Sequence, residues 1–201
     1  MSIKKYTYNY GTIKTMLLDS VNNIIWLFFN KINNGKCHIV QVSAGDLYEG
    51  QYDVEIIADT IVKARQNTAY LYVALTASSV LGTRYSKTNP FTDYMTYGIP
   101  ANIAEDVVSM DIDSNGYAYF LTPGILSSEN AKIYVYTNNG VYTEMIDLVE
   151  SGKIINNAID MTIDTNDDIW IITSDTPAKL VRVYFESGGW KYTVTEMSVI
   201  T

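Results

Sequence analysis

Apolar and polar residues alternate through KCHIVQV (36–42), AYLYVALT (69–76), AKIYVYT (131–137) and KLVRVYF (179–185). A period of two is the pattern of half-buried strands, and clusters of Asn, Asp, Gly and Ser separate these runs as turns do. The longest apolar run, IIWLFF at 24–29, is bracketed by Asn22, Asn23 and Asn30 and predicts a core strand. Six residues fall far short of a bilayer span, so no membrane insertion is expected. Two segments read differently. EIIADTIVKARQ (55–66) suits a helix as well as a strand, and SGKIINNAID (151–160) has room for a short helical turn. Were both helical, the architecture would become α+β.

The pattern also repeats. MDIDSNGYAYFLT (110–122) aligns with MTIDTNDDIWIIT (161–173) at an offset of 51 residues, with Met, Ile, Asp and Thr coinciding. MLLDSVNNIIWLF (16–28) begins the same way through Met16, Leu18 and Asp19 and carries one extra turn residue. Its offset of 94 from Asp19 to Asp113 is close to two periods, which places a degenerate copy near residue 66, where the aspartate is missing. Two more strand-like runs follow the first, third and fourth copies, such as KCHIVQV with YDVEII and KLVRVYF with WKYTVTEM. Four short antiparallel strands per unit of 40–50 residues is the signature of a propeller blade. The predicted fold is therefore all-β, a small β-propeller of four blades with four antiparallel strands each. It forms one domain over 1–201, with blades at 11–57, 58–98, 103–149 and 155–201. YTYNY, within residues 1–10, is expected as a ring-closing strand that removes an open edge.

On Asp164, Trp170 and Thr173, then Asp113, Gly116 and Thr122, then Asp19 with Trp26, the repeat resembles the two-component-regulator type of propeller repeat, and more loosely NHL repeats. The resemblance implies sensing and binding domains without shared catalytic residues.

Composition narrows the function classes. The formal net charge is −8 and the 14 basic residues are scattered, which predicts no nucleic-acid partner. With one cysteine and one histidine there is neither an intrachain disulfide nor a His-pair metal site within the chain. Cys37 and His38 adjoin in a strand, so they point to opposite faces and are expected one in, one out. The first residues lack an apolar signal-peptide core.

Asp111, Asp113, Asn115 and Gly116 match the first half of a calcium loop, but the closing position holds Thr122 and the ninth holds Tyr119. Aspartates that accept turn amides account for the motif without an ion, so no metal and no cofactor is expected. No nucleophile motif or phosphate-cradling glycine loop is present, and SGG at 187–189 reads as a hairpin turn. The longest loop-like stretch, 78–106, carries Tyr85, Phe91, Tyr94 and Tyr97 among polar residues and is expected to present a contact surface.

The expected function is a non-enzymatic binding or structural module. The favoured setting is a phage virion component of tail, baseplate or capsid surface that contacts other protein subunits and a surface glycan. Its localisation is then the virion, and otherwise the cytoplasm. Two alternatives stand beside it: a metal-dependent hydrolase using carboxylates of the central channel, and a ligand-sensing propeller domain.

Overall fold

In the computed structural model, residues 12–30, 36–43, 49–56, 60–76, 80–88, 93–100, 106–124, 130–150 and 153–197 are described. The YTYNY segment expected to close a ring and the contact residue Phe91 lie outside them. Every regular element among these residues is a strand. The strands form four sheets of four, each an antiparallel meander in chain order, plus one two-stranded ribbon. Four four-stranded antiparallel meanders are an all-β, propeller-like organisation.

The first sheet comprises β1 (Ile13–Asp19), β2 (Ile24–Phe29), β3 (Cys37–Ser43) and β4 (Glu49–Ile56). The second comprises β5 (Thr60–Gln66), β6 (Tyr70–Thr76), β7 (Val80–Ser86) and β8 (Tyr94–Gly98). The third runs through β9 (Ser109–Ile112), β10 (Ala118–Thr122), β11 (Lys132–Tyr136) and β12 (Tyr142–Asp147). The ribbon pairs β13 (Val149–Glu150) with β14 (Lys153–Ile154), and the fourth sheet comprises β15 (Ala158–Ile163), β16 (Ile169–Thr173), β17 (Lys179–Glu186) and β18 (Gly189–Glu196). The chain divides into two compact units, Met1–Thr96 and Tyr97–Thr201.

Neither segment with a helical alternative is helical where it is described: 55–66 supplies the end of β4 and all of β5, and 153–160 supplies β14, an irregular link at 155–157 and the start of β15. Burial decides against helix in the first of these. Ile61 and Ala64 enter the core between sheets, a sheet-face demand that outweighs the helix propensity of Ala, Lys, Arg and Gln. The expected loop 78–106 also contains two strands, β7 and β8.

In the first unit one core cluster gathers Trp26, Phe28, Cys37 and Ile39 from the first sheet with Ile61, Leu71, Val73 and Tyr85 from the second. The second unit packs Tyr119, Leu121, Ile133 and Val135 of the third sheet against Met161, Ile171, Val181 and Val183 of the fourth. Strand alternation explains both, since residues two apart share a face. The expectation for the Cys37–His38 pair is corrected: they do point to opposite faces, but both are buried. The first sheet is covered on each side at that position, with a separate cluster of Leu27, Phe29, Val40 and Val42 on His38's side.

Candidate functional site

The turn that joins the first two strands of each sheet is where the repeat shows its chemistry. After β9, Asp113 Oδ1 accepts the amides of Asn115 (2.9 Å) and Tyr117 (2.8 Å), and Gly116 takes φ +78°. After β15, Asp164 Oδ1 accepts the amides of Asn166 (2.8 Å) and Asp168 (3.1 Å), and Asp167 takes φ +62° in the glycine's place. The second carboxylate oxygen reaches a ring on the next strand. Tyr119 Oη donates to Asp113 Oδ2 at 3.2 Å, and Trp170 Nε1 donates to Asp164 Oδ2 at 2.9 Å. The bond from Trp170, with those turn amides, holds the Asp164 carboxyl below its ordinary range. Burial and the neighbouring Asp113 charge push the Tyr119 phenol up.

The degenerate second copy uses Asn67 where the aspartate is missing. Its Oδ1 accepts the amides of Ala69 (3.0 Å) and Tyr70 (2.8 Å), and its Nδ2 donates to Tyr72 Oη at 3.0 Å. These clasps, one polar turn residue holding one ring, occupy the same register. Tyr72 faces Arg65, Tyr119 faces Asp111 and Trp170 faces Thr162, each two residues before the clasping residue.

Trp26 is the fourth ring, facing Leu17 two residues before Asp19. Here the clasp is broken. The turn is one residue longer than those after β9 and β15, with Asn23 at φ +56°. Asp19 turns away from the ring: Oδ1 accepts the Asn22 amide (3.2 Å), and Oδ2 accepts Asn22 Nδ2 (3.0 Å) and Lys87 Nζ (2.8 Å). Among the described residues the buried indole Nε1 of Trp26 has no hydrogen-bond partner, and neither has Oε1 of Gln41, which faces Trp26 directly across the β2–β3 ladder.

These residues line a cleft of about 630 Å³ in the first unit. Trp26 and Gln41 meet the Asp19–Lys87 ion pair there, with Tyr70 and Ser86 on the second sheet's side. Backbone bonds fix the walls: the Lys87 amide donates to Ala69 O at 2.9 Å and the Ser86 amide to Asp93 O at 2.9 Å. The Arg84 guanidinium sits over the Tyr70 ring, 4.0 Å from its centroid. A smaller cleft of about 220 Å³ shares Asp19, Asn22 and Lys87 with the first. Burial alone would raise the Asp19 carboxyl, but the bonds from Lys87 and Asn22 overcome it and pull the group from its ordinary 3.8 down to about 2. Asp19 is therefore ionised at neutral pH and forms an ion pair with Lys87.

Of the expected contact residues, the structure brings Tyr85 and Tyr94 together and buries Tyr85 and Tyr97. Tyr85 is buried in the core of the first unit, its ring stacked on Tyr94 at 6.1 Å between centroids, and burial pushes its phenol up. Tyr97 is fully buried, with its ring against Phe120 (5.1 Å) and Tyr136 (5.5 Å) of the second unit. Both tyrosines lie in strands, where alternation turns them to a packed face; of the three described, Tyr94 alone is exposed. The calcium-like carboxylates are committed within the protein. Asp111 Oδ1 accepts the Ile112 amide (2.9 Å), and its Oδ2 accepts Thr162 Oγ1 (3.0 Å) and the Ile163 amide (3.1 Å). Among the described residues no group of three or more His, Cys, Asp or Glu gathers to hold a metal ion, and no helix is long and apolar enough to cross a membrane.

Sequence reasoning missed Trp26, Gln41 and Lys87 as a group. The signal available was the extra residue between Asp19 and Trp26, which breaks the repeat's spacing.

Four four-stranded antiparallel sheets define a propeller-like all-β fold, and solved structures match the chain at the level of fold. A crystal structure described as a eukaryotic initiation factor matches with a TM-score of 0.57 at 11% identity, covering 92% of this chain and 43% of that one. An auxiliary nutrient binding protein from Bacteroides ovatus matches with a TM-score of 0.59 at 12% identity, covering 92% of this chain and 42% of that one. The chain thus spans less than half the length of these solved structures. No protein-family model matches it, and no curated protein sequence does.

Proposed function

We propose that the chain is a non-enzymatic binding and structural module built from repeats of the two-component-regulator and NHL type. We place it in a phage virion, at the tail, baseplate or capsid surface, where it contacts other protein subunits and a surface glycan. One observation carries the binding reading. Asp111, Asp113 and Asp164 spend their oxygens on turn amides, rings and the neighbouring strand, whereas two buried polar atoms of residues lining one cleft of the first unit have no partner among the described residues. Buried polar groups are normally satisfied, so a cluster of exceptions beside a cleft of ligand size marks a place for a bound group. Support for the particle setting comes from composition: 17 tyrosines and a single cysteine in an acidic chain of 201 residues suit a structural protein that forms no intrachain disulfide.

Mass spectrometry of purified particles from the source of this sequence tests the setting. The chain is expected in particles at fixed stoichiometry to the other structural subunits, and absence from every particle removes that role. Chelation tests the enzymatic alternative: removing divalent ions is expected to leave the melting temperature unchanged. A drop of several degrees, with metal found in the purified chain, would favour the metal-dependent hydrolase.

A further inference from the structure

We infer that the first unit's cleft takes a neutral saccharide carrying an acetamido group, with the secondary amide lodged between Trp26 and Gln41. The inference rests on the binding-module reading and adds the chemical class of the ligand. It starts from the broken clasp. Tyr72, Tyr119 and Trp170 have their polar atoms engaged by the turn residue of their own repeat, and Trp26, in the same register, has not. A buried donor without a partner is costly to keep, and Gln41 Oε1 adds an unsatisfied acceptor directly opposite. A secondary amide is complementary to that pair, since its carbonyl accepts from the indole N–H and its N–H donates to Oε1. Both atoms are buried although their residues line the cleft, so the Gln41 amide has to turn about its last torsion, which is broad and soft, to meet the ligand.

Charge and walls select the rest of the molecule. Lys87 is neutralised by Asp19 at 2.8 Å, and Asp93 adds a carboxylate to the lining, so an anionic ligand gains nothing there. Thr68 brings a hydroxyl group, Ser86 and Thr88 bring two more that bond each other at 2.9 Å, and Tyr70 brings an aromatic ring held by Arg84. Hydroxyls beside an aromatic face suit the polar edge and C–H face of a sugar ring better than a peptide. A cleft of about 630 Å³ lies in the ordinary range for small-ligand sites.

The test is a titration of the ¹⁵N-labelled chain with N-acetylglucosamine, with glucose, and with a blocked dipeptide amide that has no hydroxyls. The chain has three tryptophans, so three indole N–H signals are followed. The Trp26 signal is expected to shift saturably with N-acetylglucosamine, while glucose and the dipeptide amide bind at least about ten-fold more weakly. Gln41→Leu, close in volume, should weaken N-acetylglucosamine binding about ten-fold. A motionless Trp26 signal, equal responses to N-acetylglucosamine and glucose, or preference for the dipeptide amide would each overturn the assignment. The wild-type titration decides even if the variant fails to fold. Absence of binding in a chain that is nevertheless found in particles removes the ligand class and leaves the binding-module reading standing.

Discussion

Asp111 shows how much one carboxylate does between two neighbouring strands. It pairs with β10 on its own sheet, and its side chain accepts a hydroxyl and an amide from β15. Asp111→Ala leaves those donors unpaired at a buried position and is expected to cost about 2–3 kcal/mol in urea denaturation, with Asn a milder change. Asp19 makes a second, pH-dependent case. Its folded-state carboxyl lies near 2 against an ordinary 3.8, so its contribution is fully present above about pH 4 and is lost as pH falls towards 2. Screened by solvent in the cleft, that contribution is about 1–2 kcal/mol. Lys87→Met should lower stability by this amount at neutral pH, and the difference from the wild type should shrink between about pH 4 and pH 2. A difference independent of pH would place the loss in packing rather than in the ion pair.

At the scale of elements, the turn decides what the strand pair can do. Asp113 and Asp164 build the same turn, closed by an amide three residues on: Gly116 to Asp113 O at 3.0 Å and Asp167 to Asp164 O at 3.1 Å. That much was legible in the sequence, because short-range hydrogen bonds need particular residues at particular spacings. Asn67 was not legible as the missing member: its turn is one residue shorter, and a side-chain amide does the work of a carboxylate. The burial of Tyr85 and Tyr97 was hidden for a different reason. Polar neighbours suggested a loop, and only the packing of β7 and β8 shows which face each ring takes. The convergence of Trp26, Gln41 and Lys87 was hidden too, since it brings together residues from three separate strand ends. Gly124 gives the element scale its sharpest test. It has φ +61°, and a Cβ there would stand 2.4 Å from the Ala131 amide nitrogen and 2.5 Å from the Asn130 carbonyl carbon, both backbone. Gly124→Ala is expected to destabilise by about 2–4 kcal/mol, read as a lower denaturation midpoint with an unchanged slope.

For the molecule as a whole, the same four-strand unit recurs while its first turn changes from repeat to repeat. Two copies keep the aspartate clasp, one replaces it with asparagine, and one leaves its buried ring unclasped beside a cleft. The same clasp is thus intact in the second, third and fourth repeats and open in the first. Amide hydrogen exchange along the full chain tests this architecture most directly, because the central strands of each sheet are paired on both sides. Four separate blocks of slow exchange are predicted, over β2–β3, β6–β7, β10–β11 and β16–β17, each preceded by a faster turn. A single continuous protected block, or protection with no repeat of about 50 residues, would contradict it.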